Sequence, residues 1–400
     1  MAQAPITISQ AREIVNSAVR RLGSEAVGFD EALGRVLAEE VRAATDVPPF
    51  ACSAMDGYAV KAGPADRRLQ VVAEVRAGSL SSREVSDGEA VRISTGAAVP
   101  AGADAVIRQE DVEQQDGTII TRTETPYGTN VRGAGEDQRS GASVLPAGTL
   151  LGGTELGAAV SAGASALVVA RRPRVSVLCT GDELRAPGDP LAPGQIHNSN
   201  GPMLHALAQR AGAIAQGYEV LPDEPAATRA GLSGALDRAD VVIVSGGVSV
   251  GPHDHVKPAL SSLGVTELFW RVALKPGGPT WFGARDVTLV FGLPGNPVSA
   301  VVTFTLFVRP ALLAMQGLVS HRRLETEGRL AVKVARNPRR EQALRVRLDR
   351  TDGSVLVTPN GPQGSHLISS LLGADALAFI PAGVGELPAG ASVALEELPG

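Results

Sequence analysis

VVIVSGGVSVGPHDHVKPAL, from Val241 to Leu260, is the stretch on which the fold turns. Its first four residues are β-branched and carry no charge, as in a strand buried on both faces of a parallel sheet. A run of small residues follows, then His253-Asp254-His255, then a helical segment near Asp254 to Ser262. Strand, glycine loop and helix make half of a βαβ unit. The same texture continues in both directions. RVSVLCT, YEVLPD, ELFWRVAL, TWFG and VTLVFGLPGN read as strands; GPMLHALAQRAGA, EPAATRAGLSGALDRA and VSAVVTFTLFVRPALLAM read as helices. Residues 173–320 are therefore expected to form a three-layer α/β domain on a mostly parallel sheet.

The flanks differ. Thr7 and Gln10 fit a capping box ahead of a helical stripe of Ala11, Ile14, Val15, Ala18, Val19 and Leu22. FDEALGRVLAEEVRA reads as a second helix, and TLLGGTELGAAVSAGASALVVARR as turn, short helix, turn and strand. Between them, VVAEVRAG, EAVRIS, DAVIRQEDV and GTIITRT are short strands punctuated by Gly and Pro. These patterns predict a linking domain from 1–44 plus 140–172, carrying a β-rich insert at 45–139 on two strands of chain, free to tilt. After Glu327, RLAVKVAR, ALRVRLDR, GSVLVTPN, DALAFIPAG and ASVALEEL predict a small all-β domain at 321–400.

Bulk properties narrow the function. The chain has 400 residues, 44% hydrophobic and 20% charged, an ordinary globular balance for two to four domains at about 100–200 residues each. With 3% aromatic residues, the cores are expected to rest on Ala, Val and Leu. A net charge of −5 gives no footprint for nucleic acid. No apolar run approaches the ~20 residues of a membrane span, and the first residues lack a signal-peptide pattern, so a cytoplasmic protein is expected. Cys52 and Cys179 are the only cysteines, without a zinc-binding spacing.

Ligands of open α/β sheets bind beyond the carboxyl ends of the strands. Three loops leave strand ends there: Thr180-Gly181-Asp182-Glu183-Leu184, Ser245 to Gly251, and Gly292-Leu293-Pro294-Gly295-Asn296-Pro297-Val298-Ser299. In the second, Gly246 and Gly247 let backbone N–H groups approach an anion, with Ser249 and a following helix start beside them. His253 and His255 lack converging partners for a transition metal. Asp254 reads instead as a hard carboxylate holding Mg²⁺ against phosphate, or as a helix cap. Asp182 and Glu183 beside a phosphate loop suggest the same divalent ion. Arg271 and Lys275 form a candidate pocket for a compact anion. In the insert, Asp56 of SAMDGYAV suits a loop entering a tight cleft, or an Asx turn.

SAMDGYAV, RISTGAAVPAGADAVIRQED, the GED at Gly135 to Asp137, TGDEL, IHNSN, SGGVSVG with Asp254, FWRVALKPG and GLPGNPVS together resemble the MoeA family, molybdopterin molybdenumtransferases related to the gephyrin E domain. The motifs run in family order from Cys52 to about Ser370. The resemblance implies a four-domain subunit ending in a small β-barrel. Its activity would be insertion of molybdate into adenylyl-molybdopterin, with Mg²⁺-dependent release of AMP. It implies a homodimer in which Asp56 and Thr95 act across the interface, with molybdopterin adenylyltransferase as pathway partner. Catalytic positions would be Asp56, Thr95, Asp137, Glu183, Asp223 and Asp254. Thr180, Gly181, Asn198, Asn200, Ser245, Gly246, Gly247, Ser249, Gly251, Pro294, Gly295, Asn296 and Pro297 would hold nucleotide and pterin. Arg271, Lys275, Pro279, Arg345 and Ser365 would hold molybdate, and Asp182, Glu183 and Asp254 the metal. The chain departs from the family in reading KPGGP where KPGKP is common, so Gly278 removes a positive charge, with Arg271 as one source of compensation. Arg132-Gly133-Ala134 is also less basic than usual. A molybdopterin adenylyltransferase and a non-catalytic scaffold of the same fold are the alternatives.

Overall fold

Uncharged strands need cover on both faces, and the runs after residue 173 find it under helices, with Leu204 and Val298 packed on one side of the sheet and Leu232 and Leu260 on the other. The computed structural model describes residues 4–248, 255–319, 327–351 and 354–398. Its central sheet has the strand order Ile214–Leu221, Arg174–Thr180, Val241–Ser245, Thr288–Leu293, Trp281–Arg285, Thr266–Trp270. The first four strands are parallel, and the last two add antiparallel. Cys179 pairs with Ser245 and Ser245 with Leu293, so three neighbouring strands end level. Their following loops leave at one rim.

Five of the eight phenylalanines, at 269, 282, 291, 304 and 307, gather in the core on one side of this sheet. Phe282 lies 4.8 Å from Phe291 and 5.5 Å from Phe269, ring centre to ring centre. Such pairs add about 0.5–1.5 kcal/mol each beyond their buried area. The phenylalanines are thus concentrated in one core, while Trp281 lies in the core on the other face of the sheet and Tyr58 in that of the insert.

Pro297 to Met315 is one continuous 19-residue helix, as its apolar run predicts, and mostly buried within the protein. It widens to a π-turn at Phe304–Val308, just before Pro310. A proline has no N–H for the carbonyl four residues back and crowds it. That carbonyl, on Leu306, instead accepts from Arg12 Nε at 3.2 Å. Arg12 belongs to the Ile8–Ala18 helix, which has the expected Thr7–Gln10 capping box and packs Ile8, Ala11 and Val15 into the phenylalanine-rich core. The helix stops at Ala18, so Leu22 lies beyond it.

The expected helix at 29–43 is corrected. Only Phe29–Ala32 is helical; Gly34 then turns at φ +73°, and Val36 and Leu37 bridge to Leu150 and Val169. Val41–Arg42 pairs with Ser143–Leu145, and Ser24–Val27 with Leu167–Ala170. The returning chain therefore overrides local helical periodicity and shares a core of Val27, Leu37, Leu145, Leu151, Leu167 and Val169.

Between these strands lies a six-stranded sheet, ordered Ala105–Arg108, Gly57–Val60, Glu89–Ile93, Arg68–Val75, Thr118–Thr121, Val112–Gln115. Apolar clusters cover both faces, one around Tyr58 and Ile119, the other around Val75 and Ile93. After residue 327, five strands close into a barrel, because Glu341–Thr351 pairs with both Ser354–Pro359 and Ala376–Ile380. Leu274–Lys275 of the central region adds to the barrel beside Glu341 and Gln342.

Candidate active site

The level strand ends bring the three loops into contact. Gly246 and Gly247 have φ of +92° and +65°, and side chains there would press on Thr180 and Val256 at 2.6–2.9 Å. Their lack of Cβ lets the second loop pass against the first. A Cβ on Gly181, at φ +144°, would meet the Glu183 carboxylate at 2.3 Å, so this glycine fixes where that acid lies. Asn200 Nδ2 donates to Ser245 Oγ at 2.9 Å and to the Gly295 carbonyl at 2.7 Å, tying the second loop to the third. Asn200 Oδ1 is buried without a partner and offers an acceptor to a ligand N–H. Asn198 Oδ1 accepts from Gly201 N and turns the chain into the Asn200–Arg210 helix. Pro294 is buried, while Gly295 and Asn296 are exposed, and Pro297 starts the long helix. Ser249, Gly251, His253 and Asp254 lie outside the described residues.

Asp182 and Asp223, 41 residues apart, are brought together. Asp223 N donates to Asp182 Oδ1 at 3.1 Å, and Asp182 N to Asp223 Oδ2 at 3.3 Å. Each carboxylate keeps one oxygen without a bond in these pairs. That donor set fits Mg²⁺, which takes one or two carboxylates and completes its shell with phosphate oxygens and water. Among the described residues, no three acidic, His or Cys side chains converge on one point, so Asp182 and Glu183 do not form a protein-only metal cage.

The barrel reaches the same rim. Asn296 Nδ2 donates to Ser365 Oγ at 3.1 Å, and Val298 N to the Ser365 carbonyl at 3.2 Å. Beneath this loop lies Arg345, fully buried. Its Nε donates to Ser370 Oγ at 3.1 Å, and its Nη2 to the carbonyls of Pro362 and Gly364 at 3.3 and 3.2 Å. Nη1 has no partner, and no carboxylate pairs with the charge. Burial lowers the guanidinium to about 10, so it remains a cation at neutral pH. Nη1 is thus a buried donor still able to bond an anion, should one reach it. Ser370 carries no motif of its own and was missed in the sequence; only the buried Arg345 reveals it.

Arg271 and Lys275 follow the strand Thr266–Trp270 and have different surroundings. The Arg271 guanidinium lies 4.3 Å from the centre of the Trp270 ring, where Lys257 Nζ also approaches at 3.7 Å. Trp270 Nε1 donates to the Val248 carbonyl at 3.2 Å, so Arg271 is drawn towards the second loop. Arg271 adopts φ +74°, a strained backbone for a non-glycine that costs about 1–3 kcal/mol. Lys275 is exposed and makes no ion pair, and Pro279 is half-buried in the same turn.

In the insert, the Asx-turn reading of Asp56 gives way to a long-range contact. Asp56 Oδ1 accepts from Thr95 N at 2.7 Å and from Thr95 Oγ1 at 2.9 Å. The backbone bond from Thr95, followed by its hydroxyl, holds the Asp56 carboxyl below its usual pKa. Asp137 lies elsewhere, at the neck of the insert, where its N–H donates to Val47 and Val47 bridges to Gln138. No hydrogen bond joins it to Asp56 or Thr95.

Family models match nearly the whole chain: the MoeA N-terminal region (domain I and II) over residues 6–163, a probable molybdopterin binding domain over 176–314, and the MoeA C-terminal region (domain IV) over 327–398. A molybdopterin molybdenumtransferase of Haemophilus influenzae is 34% identical, with 98% of both chains covered. Molybdopterin molybdenumtransferase 2 of Mycobacterium tuberculosis is 35% identical over 98% of this chain and 99% of its own. The crystal structure of the molybdopterin biosynthesis MoeA protein of Pyrococcus horikoshii OT3 superposes with a TM-score of 0.84 at 29% identity, covering 98% of this chain and all of that one. Fold, sequence and domain order agree, and the chain belongs to the MoeA family.

Proposed function

We infer that this chain is a molybdopterin molybdenumtransferase: it takes adenylyl-molybdopterin and molybdate, inserts the metal at the dithiolene and releases AMP. The observation that carries this reading is the continuity of the rim. A glycine-lined loop suited to phosphates runs through Asn200, Gly295 and Asn296 to Ser365, behind which Arg345 holds an uncompensated charge. One end thus suits a pyrophosphate and the other a compact dianion.

The roles follow from chemistry. Backbone amides around Gly246 and Gly247 bind the anhydride oxygens, with Ser249 and Gly251 continuing the loop. Asn200 Oδ1 takes an N–H of the pterin or adenine. Lys275, Pro279, Arg345 and Ser365 enclose molybdate. Mg²⁺ would be held by Asp182 and Asp223, with Glu183 and Asp254 assigned as further carboxylate ligands by the family motif, and would neutralise phosphate charge while the anhydride is cleaved. The carboxylates left free orient the attacking water. Asp56 and Thr95 belong to a homodimer in which the insert of one subunit faces the central domain of the other. Asp137 at the neck is assigned to positioning that insert. The protein is read as cytoplasmic, receiving its substrate from a molybdopterin adenylyltransferase.

Incubating purified protein with adenylyl-molybdopterin, molybdate and Mg²⁺ should release AMP only when molybdate is present. ATP-dependent adenylylation of molybdopterin would show the adenylyltransferase instead, and neither activity would show a scaffold.

A further inference from the structure

Position 278 has no side chain, and a charged group from another domain covers it. A Cβ there would stand 3.7 Å from Nη1 of Arg340, with the Leu274 carbonyl at 3.3 Å. Arg340 lies in the loop entering the barrel strand Glu341–Thr351. The loop is fixed from below, since the N–H groups of Arg339 and Arg340 both donate to Asn337 Oδ1, at 3.1 and 2.9 Å. It is fixed from the side as well: Glu341 N donates to the Ala273 carbonyl at 2.9 Å, and Leu274–Lys275 pairs with Glu341 and Gln342. The Arg340 backbone is therefore held against the turn that carries Lys275 and Gly278. Among the described residues its guanidinium has no ion-pair or hydrogen-bond partner, and neither has the ammonium of Lys275. Glu341, the adjoining acid, is half-buried and lies in the field of Arg12. Arg345, four residues after Glu341, adds the buried guanidinium with the open Nη1. Arg340 and Lys275 thus lie at one turn without a bonded carboxylate among the described residues, and an anion placed there would meet both charges.

We propose that Arg340 is a specificity-determining residue of the oxyanion site, supplying from the barrel, across Gly278, the positive arm that position 278 itself lacks. This rests on reading Lys275 and Arg345 as the molybdate site. The ligand class is a tetrahedral dianion, molybdate or tungstate, because several separated cations favour two charges over one. A lysine at 278 would place the charge on the central domain. Arg340 places it on the barrel, so that the bound oxyanion bridges the two domains.

The test is calorimetric titration of the full-length protein with molybdate at low ionic strength, without pterin or nucleotide. Arg340→Ala should weaken binding about tenfold, the scale of one charge-assisted hydrogen bond, with unchanged melting since the side chain is exposed. Arg340→Lys should stay within about threefold of wild type, and Gly278→Lys alone should change little. Arg340→Ala combined with Gly278→Lys should recover most of the loss. Wild-type affinity in Arg340→Ala, together with a loss in Lys275→Ala, would overturn the proposal but keep the site. A loss that the double variant fails to restore would contradict the equivalence of the two positions. Binding untouched by Lys275→Ala and Arg345→Met, or absent in wild type, would instead reject the site itself.

Discussion

The rim of the central sheet and the Asp56–Thr95 corner of the insert are both built from small residues around acids, yet they are finished differently. At the rim, each loop is closed by another part of the same chain: Asn200 holds Ser245 and Gly295, Asp182 holds Asp223, and Ser365 holds Asn296. The corner has one internal contact, from Thr95 to Asp56, and then faces outward, with both residues exposed. The Thr95 N–H, followed by its hydroxyl, holds the Asp56 carboxyl below its usual pKa and fixes its orientation at an exposed position. In the function proposed above, the rim is the binding region and the corner is a half-site for the rim of another subunit.

The sharpest way to separate them is to remove the central cation. Arg345→Met should lower turnover by at least about a hundredfold, since the charge of one desolvated guanidinium is lost. Its effect on melting should be small, because an uncompensated buried charge disappears with it. A large drop in melting with little change in molybdate affinity would make Arg345 structural. Asp254→Ala and Glu183→Ala should each abolish turnover and leave the dimer intact on size-exclusion chromatography; failure of both to fold would make them scaffold residues.

Gly181→Ala sharpens the comparison at intermediate scale. The added methyl meets the Glu183 carboxylate, and φ +144° disfavours it, so we expect about 1–3 kcal/mol lower stability by denaturant titration. Turnover should fall about tenfold as Glu183 is displaced; unchanged kcat would mean the acid tolerates relocation. Arg12→Ala removes the ion pair to Glu396 and the donor to Leu306, at a cost of about 1–3 kcal/mol. The smallest effect concerns Cys179, whose burial raises its thiol to about 11. The unfolded thiol ionises near 9, so this group's stabilising contribution is present below that pH and is lost as pH rises towards 11. Alkylation of native protein at pH 8 should therefore spare Cys179; modification as fast as in urea would contradict its burial.

What the sequence disclosed, and what it hid, follows the reach of the forces involved. Strand and helix periodicity is local, so the central sheet and the barrel strands were legible from Val, Leu and Gly spacing alone. The segment 29–43 was not, because its conformation is set by pairing with chain more than 100 residues away. The same limit applies to the site. TGDEL and SGGVSVG stood out as motifs, whereas the Asp182–Asp223 pair and the Ser370 partner of Arg345 exist only once each domain folds, and the approach of Arg340 to Gly278 only once two domains meet. The stacking of the Arg271 guanidinium on the Trp270 ring is likewise visible only in the fold.

That the corner completes the rim of a second copy is tested most directly by mixing two inactive proteins. Asp56→Asn leaves a sound central domain, and Glu183→Gln leaves a sound insert. After denaturation and joint refolding, random pairing puts half of the subunit pairs in mixed dimers, each with one intact site. Molybdate-dependent AMP release should then return to about a quarter of wild type. Release no higher than that of either protein alone, with mixed dimers demonstrated by mass spectrometry, would contradict a site shared between subunits.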